Sequence, residues 1–169
     1  MSRSQPVVRV LMVCTGNICR SPTAEVVLRD LARAAGLGER LQVDSAGISD
    51  WHAGEPPDPR SQAHALMRGY DLSGLRARAV RAEDFERFDL LLAMDSSHLV
   101  ELRRLCPPSR IGRLHLFLGV AGPARPVPDP YSGGTDDFEH VLDLVEQGCA
   151  DWLGKIFRAD AEPSPPILD

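Results

Sequence analysis

The chain has 169 residues, 43% of them hydrophobic and 25% charged, with a formal net charge of −5. This is the composition of an ordinary soluble globular protein, and it excludes disordered, collagen-like and disulfide-stapled classes. The acidic balance also argues against a protein built to grip nucleic acid, which needs a basic footprint.

Val7–Val13 is short and rich in β-branched residues, the pattern of a strand buried on both faces. Cys14–Arg20 follows as a turn-like stretch, and Ser21-Pro22 reads as the N-cap and first position of a helix. Ala24, Val27, Leu28, Leu31 and Ala35 then recur on one helical face, and Gly36 and Gly38 end the helix. Leu41–Val43 is a second short strand, closing at Asp44-Ser45-Ala46-Gly47. A loop runs from Ile48 to Pro59, and a helix is expected from Asp58-Pro59 to about Gly69. Asp89–Met94 is the third strand. Asp95-Ser96-Ser97 caps the next helix, which Pro107-Pro108 ends. Leu114–Leu118 is a fourth strand, followed by a Gly/Pro-rich loop over 119–134. Thr135 opens the last helix, with Phe138, Val141, Leu142, Val145, Cys149, Trp152, Leu153 and Ile156 on its apolar side.

Strands alternating with helices imply right-handed crossovers. The expected fold is α/β, a three-layer sandwich: a four-stranded, mostly parallel sheet in order 2-1-3-4 with helices on both faces. Residues 1–158 are expected to form one domain, and 159–169, with Pro163, Pro165 and Pro166, a disordered tail. In such sheets ligands bind at the carboxyl ends of the strands. The loops at 14–20, 44–55, 94–96 and 119–134 all follow strands and can converge there.

The four cysteines and five histidines show no zinc spacing, so neither metal nor cofactor is expected. No stretch is long enough to span a membrane or to act as a secretory peptide. The expected location is cytoplasmic with reduced thiols, although non-classical export would leave no trace in the sequence.

Cys14–Ser21 reads C-x5-R-S. Alone, C-x5-R is a weak signal, and its setting between a buried strand and a helix start carries the argument. Such a loop aims successive backbone N–H groups inward, and the helix adds its positive end, making a cradle for a tetrahedral oxyanion. Thr15, Gly16, Asn17, Ile18 and Cys19 would supply the amides. Gly16 and Asn17 are residue types that tolerate the left-handed backbone needed to curl the loop. The amides, the dipole and Arg20 favour a thiolate at Cys14, and Ser21 can donate a hydrogen bond to the same sulfur. Arg20 can hold two phosphate oxygens at once. A thiolate beneath a bound phosphoryl group is a nucleophile in line for attack.

The run Val13-Cys14-Thr15-Gly16-Asn17-Ile18-Cys19-Arg20-Ser21-Pro22-Thr23-Ala24-Glu25 resembles the signature of the low-molecular-weight protein tyrosine phosphatases. Asp44-Ser45-Ala46-Gly47, Trp51-His52, Pro57-Asp58-Pro59-Arg60 and Asp129-Pro130-Tyr131 resemble that family's later motifs in the right order. The resemblance covers roughly residues 7 to 157. It implies hydrolysis of phosphotyrosine and aryl phosphates through a phosphocysteine, with Cys14 as nucleophile. It implies Arg20 and the loop amides as the phosphate site, and Asn17, Ser21 and Ser45 as the loop's support. It implies Asp129 as the acid that protonates the leaving phenolate and then activates water. Trp51 and Tyr131 are expected to wall the cleft, an aromatic gap that selects aryl esters, with His52 at its rim. Some members of the family pair the loop's two cysteines in a reversible disulfide, here Cys14 and Cys19.

The sequence departs from the family in three places. A histidine common near position 75 is replaced by Leu75, so the support around Asn17 and Ser45 is incomplete or rebuilt. Ser132 follows Tyr131 where many members have a second tyrosine. His98 stands where asparagine is common. Two other readings compete. An arsenate reductase of the same fold would need closely spaced relay cysteines and would lack Asp-Pro-Tyr. A non-catalytic phosphoprotein binder would have lost Cys14, Arg20 or Asp129. Expected partners are a phosphotyrosine protein or peptide, with phosphate or vanadate as ligand. Neither nucleic acid nor membrane is expected, and the chain would be a monomer or weak homo-oligomer.

Overall fold

Strand β1 (Val8–Cys14) runs through the centre of the molecule, and Val10 to Val13 have no solvent exposure. The structure is a computed structural model that describes residues 6–158. The tail expected from residue 159 lies outside them. Parallel to β1 lie β2 (Leu41–Gly47) on one side and β3 (Leu90–Ala93) on the other, with β4 (Leu114–Leu116) beyond β3. The order is β2-β1-β3-β4, as expected, and every pairing is parallel. Burial on both faces explains why β1 reads from Val10 as a continuous apolar run rather than an alternation.

Successive side chains of β1 feed opposite cores. Val10 and Met12 face the side covered by α1 (Arg20–Ala34) and α5 (Thr135–Arg158). Leu11 and Val13 face Phe85, Phe88, Leu99 and Leu102, which come from α3 (Asp84–Arg87), its C-cap and α4 (Ser96–Leu105). Helix α2 (Pro59–Met67) packs along α5. The Trp152 indole N–H of α5 donates to the Phe117 carbonyl just past β4, at 2.7 Å, pinning the last helix to the sheet. Each fully buried Leu or Val in these layers contributes roughly 1.5–3 kcal/mol.

Several boundaries differ from the sequence reading. Helix α1 starts at Arg20 with Cys19 at the cap position, so Ser21 lies inside the helix and caps nothing. Its hydroxyl is engaged by Cys14 and Asn17 instead. Helix α1 ends at Ala34, one residue early, and Gly36 takes a left-handed turn. Strand β2 continues to Gly47 because its whole length pairs with β1. Strand β4 stops at Leu116, although Phe117 N still donates to the Ala93 carbonyl. The single-turn α3 is too short to carry a period. It is held by bonds from the segment just before it, with Arg81 N and the Arg78 guanidinium donating to Asp84.

Candidate active site

The chain leaves β1 at Cys14 and re-enters regular structure at Arg20, so residues 15–19 form one tight loop. Asn17 alone among the described non-glycine residues has a positive φ, 59°. Gly16 does not adopt that conformation, contrary to the sequence reading. It is small for another reason: a Cβ there would come within 2.8 Å of the His52 ring. Gly47, beside Cys14 in the register, is confined too. Its Cβ would meet the Thr15 carbonyl at 2.8 Å.

A directional set of hydrogen bonds braces the loop. The Asn17 amide donates to Ser21 Oγ at 2.8 Å and to Ser45 Oγ at 2.9 Å, and its carbonyl accepts from Arg78 N at 3.0 Å. Ser21 Oγ also lies 2.9 Å from Cys14 Sγ. Because its oxygen accepts from Asn17, its proton is free to point at the sulfur. The Ser45 hydroxyl donates in turn to Glu25 at 2.7 Å, and Glu25 pairs with Arg29. Burial pushes the Glu25 carboxyl up, against the pull of Ser45 and Arg29. Leu75, in place of the family histidine, merely packs against the core. The support around Asn17 and Ser45 here includes Glu25 and the Arg78 backbone. Sequence reasoning missed both residues, since neither carries a local signal for a partner so distant in sequence.

Arg20 is 3% exposed, and its guanidinium is held from several sides. It donates to Asp95 Oδ2 and to the Val127 carbonyl, both at 3.0 Å, and to Thr15 Oγ1 at 3.4 Å. Its Nη2 lies 3.6 Å from Asp129 Oδ2. Asp95 also caps α4, accepting from Ser97 N and His98 N. Burial raises the Asp95 carboxyl, but hydrogen bonds from Ser97 and the neighbouring charges win and hold it below the usual carboxylate range. His98 completes a reciprocal cap. Its Nδ1 accepts from Asp95 N at 3.2 Å, which leaves the proton on Nε2 to donate to Thr15 Oγ1 at 2.8 Å. Desolvation, aided by the Arg20 charge, pushes His98 down to about 4.

Above Cys14 opens a cavity of about 190 Å³. Loop residues Thr15, Gly16, Ile18, Cys19 and Arg20 line it, with Ser49, Trp51, His52, Asp129 and Tyr131 around the mouth. Trp51 is 85% exposed and Tyr131 52%, so both rings stand in solvent at the rim. His52 bonds Glu55 at 2.7 Å. The structure thus gathers Cys14, Arg20, Asp129, Trp51, His52 and Tyr131 around one opening, while Asn17, Ser21 and Ser45 sit behind it. Ser49 was missed. It reaches the site because its N–H donates to the Thr15 carbonyl. All four cysteines are free. Burial pushes Cys19 up to about 12. Cys149 donates to the Ala24 carbonyl and Cys106 to that of Pro107, each packed in a core. Among the described residues no helix is long and apolar enough to cross a membrane, and no acid, thiol or imidazole cluster could hold a metal.

Residues 9–162 match the family described as low molecular weight phosphotyrosine protein phosphatase. The chain belongs to this family. The low molecular weight protein-tyrosine-phosphatase of Streptomyces coelicolor is 45% identical over 153 residues, covering 88% of this chain and 93% of that protein. The crystal structure of YfkJ from Bacillus subtilis superposes with a TM-score of 0.86 at 36% identity, covering 95% of this chain and all of that one. Wzb of Vibrio vulnificus, solved in complex with benzylphosphonate, gives a TM-score of 0.78 at 29% identity, covering 88% and 99%. The chain is thus a hydrolase of the low molecular weight protein-tyrosine phosphatase class.

Proposed function

We propose that this phosphatase hydrolyses phosphotyrosine in proteins or peptides, and aryl phosphate monoesters, through a phosphocysteine at Cys14. The phosphate binds on the amides of residues 15–20 and on Arg20, whose fork suits two of its oxygens. The Cys14 thiolate attacks phosphorus, an S–P bond forms and the P–O bond to the phenol breaks. Asp129 gives its proton to the departing oxygen. The ionised Asp129 then takes a proton from water as that water attacks phosphorus. The S–P bond breaks, releasing inorganic phosphate and restoring the thiolate.

One observation carries this reading: Cys14, Arg20 and Asp129 line a single cavity, with Arg20 Nη2 3.6 Å from Asp129 Oδ2. A carboxylate held beside the phosphate-binding arginine is within reach of the leaving oxygen. Ser21 and the Asn17–Ser45–Glu25 chain keep the loop in its bound shape before substrate arrives, which lowers the reorganisation needed in the transition state. Trp51 and Tyr131 offer aromatic walls at the mouth, and the benzylphosphonate bound by the Vibrio relative has the matching chemistry. We assign the chain to the cytoplasm, where its buried thiols stay reduced. Cys14 and Cys19 form its redox pair.

The test is turnover of an aryl phosphate by the wild type and by Cys14→Ser. The variant should lose turnover and still bind vanadate, because the cradle survives. Turnover near the wild-type rate would refute the mechanism.

A further inference from the structure

The motif Pro57-Asp58-Pro59-Arg60 lies outside the chemistry described so far, yet it joins the two loops that perform it. Asp58 N donates to the Ile18 carbonyl of the nucleophile loop at 2.8 Å. The Asp58 carboxylate caps α2 by accepting from Arg60 N, and it also grips the Arg60 side chain, with Nε at 3.1 Å and Nη2 at 3.0 Å. The second proton of Nη2 goes to the Tyr131 carbonyl at 2.8 Å. The guanidinium lies over the Phe138 ring at 4.7 Å and near the Tyr131 ring at 5.5 Å.

The Asp129 loop needs such a tie. Pro128 and Pro130 have no N–H, so the segment has few backbone donors to hold it and depends more on its carbonyls and side chains. Its base is fixed at Val127, whose N–H donates to the Met94 carbonyl at 2.7 Å and whose carbonyl accepts from Arg20. Beyond the aspartate, Tyr131 N donates to Asp129 Oδ1 at 3.1 Å, so the pose of the Tyr131 backbone sets that of the carboxylate. The Asp129 side chain is 52% exposed, and packing alone does not fix it.

We propose that Arg60, oriented by Asp58, is a positioning residue that registers the loop carrying Asp129 against the loop carrying Cys14. This rests on the phosphatase reading above. It assigns Arg60 no contact with the reacting atoms. Arg60 acts through the acid, so its removal should matter in proportion to the leaving group's need for a proton. A merely structural arginine would affect all substrates alike.

The experiment measures single-turnover phosphorylation of the thiol by phosphotyrosine and by an aryl phosphate with a strongly acidic phenol. Arg60→Met should slow the phosphotyrosine reaction roughly 10- to 100-fold, a share of the roughly 10²–10⁴-fold that a general acid supplies. It should slow the activated ester less than about threefold, since that phenol leaves without help. In an Asp129→Asn background Arg60→Met should cost nothing further on phosphotyrosine. Asp58→Asn keeps the helix cap and weakens only the grip on Arg60, so it carries the same test should Arg60→Met fold poorly. Wild-type protein that turns over neither ester would overturn the phosphatase reading. With wild-type turnover intact, equal losses on both esters, or a full Arg60 penalty persisting without Asp129, would overturn the positioning role alone.

Discussion

Acidification should destabilise this protein through His98, and His98→Asn should remove that sensitivity. His98 is 3% exposed, donates from Nε2 to Thr15 and accepts at Nδ1 from the backbone of Asp95. A second ring proton would break the Nδ1 bond and place a cation beside Arg20. Burial and Arg20 therefore push its pKa down from 6.5 to about 4, with Asp95 and Asp129 opposing. The folded state resists a proton that the unfolded chain accepts, so stability is fully present above the unfolded value and is lost as pH falls toward the folded one. At 1.36 kcal/mol per pH unit, the loss between about pH 7 and about pH 4.5 comes to about 2 kcal/mol. Urea unfolding of wild type and His98→Asn at both pH values isolates the term, because the shared carboxylates cancel in the difference. Asparagine can replace the imidazole as both acceptor and donor without titrating. A stability difference between the two proteins that stays constant from pH 7 to pH 4.5 would refute the reasoning.

Arg20→Lys should cut kcat/KM roughly 10²-fold or more, because a point charge cannot replace a fork already held by Asp95 and Val127; steady-state kinetics with an aryl phosphate checks this. Asp129→Asn should slow thiol phosphorylation by phosphotyrosine roughly 10²–10⁴-fold while sparing the burst with an activated ester, which rapid-quench kinetics measures. After mild peroxide, formation of a Cys14–Cys19 disulfide should be slow at neutral pH and quicken as pH rises toward 10, because Cys19, held up at about 12 by burial, attacks only as thiolate; peptide mapping across pH would show it.

The central strand and the loop after it were legible in the sequence because both signals are local. Val7–Val13 is a short apolar run rich in β-branched residues and interrupted only by Arg9, and Cys14–Pro22 keeps the cysteine, the arginine and the helix start adjacent in the chain. Trp51, Asp129 and Tyr131 were legible only through the family's motifs, since nothing local says that residues 37 to 117 positions downstream return to Cys14. The rest was hidden because its meaning depends on distant partners. Glu25 looks like any helical carboxylate until Ser45 is seen against it. Arg60 reads only as part of a motif without a partner until the Tyr131 carbonyl is placed against it. Asp95 reads as a helix cap, which it is, and only the fold shows that it also holds Arg20. Ser21 misled for the same reason: serine before proline is a cap by local logic, and here a thiol and an amide claim its hydroxyl first.

The most direct test of the account is to catch the covalent intermediate. Asp129→Asn protein should be mixed with an activated aryl phosphate, quenched during turnover and examined by peptide mass spectrometry under conditions that preserve phosphothioesters. The account predicts a phosphoryl group on Cys14 that accumulates toward one per molecule, because the acid is not needed to form it and the base needed to hydrolyse it is gone. Steady release of the phenol with no phosphoryl group on Cys14, or with the group on another residue, would contradict it.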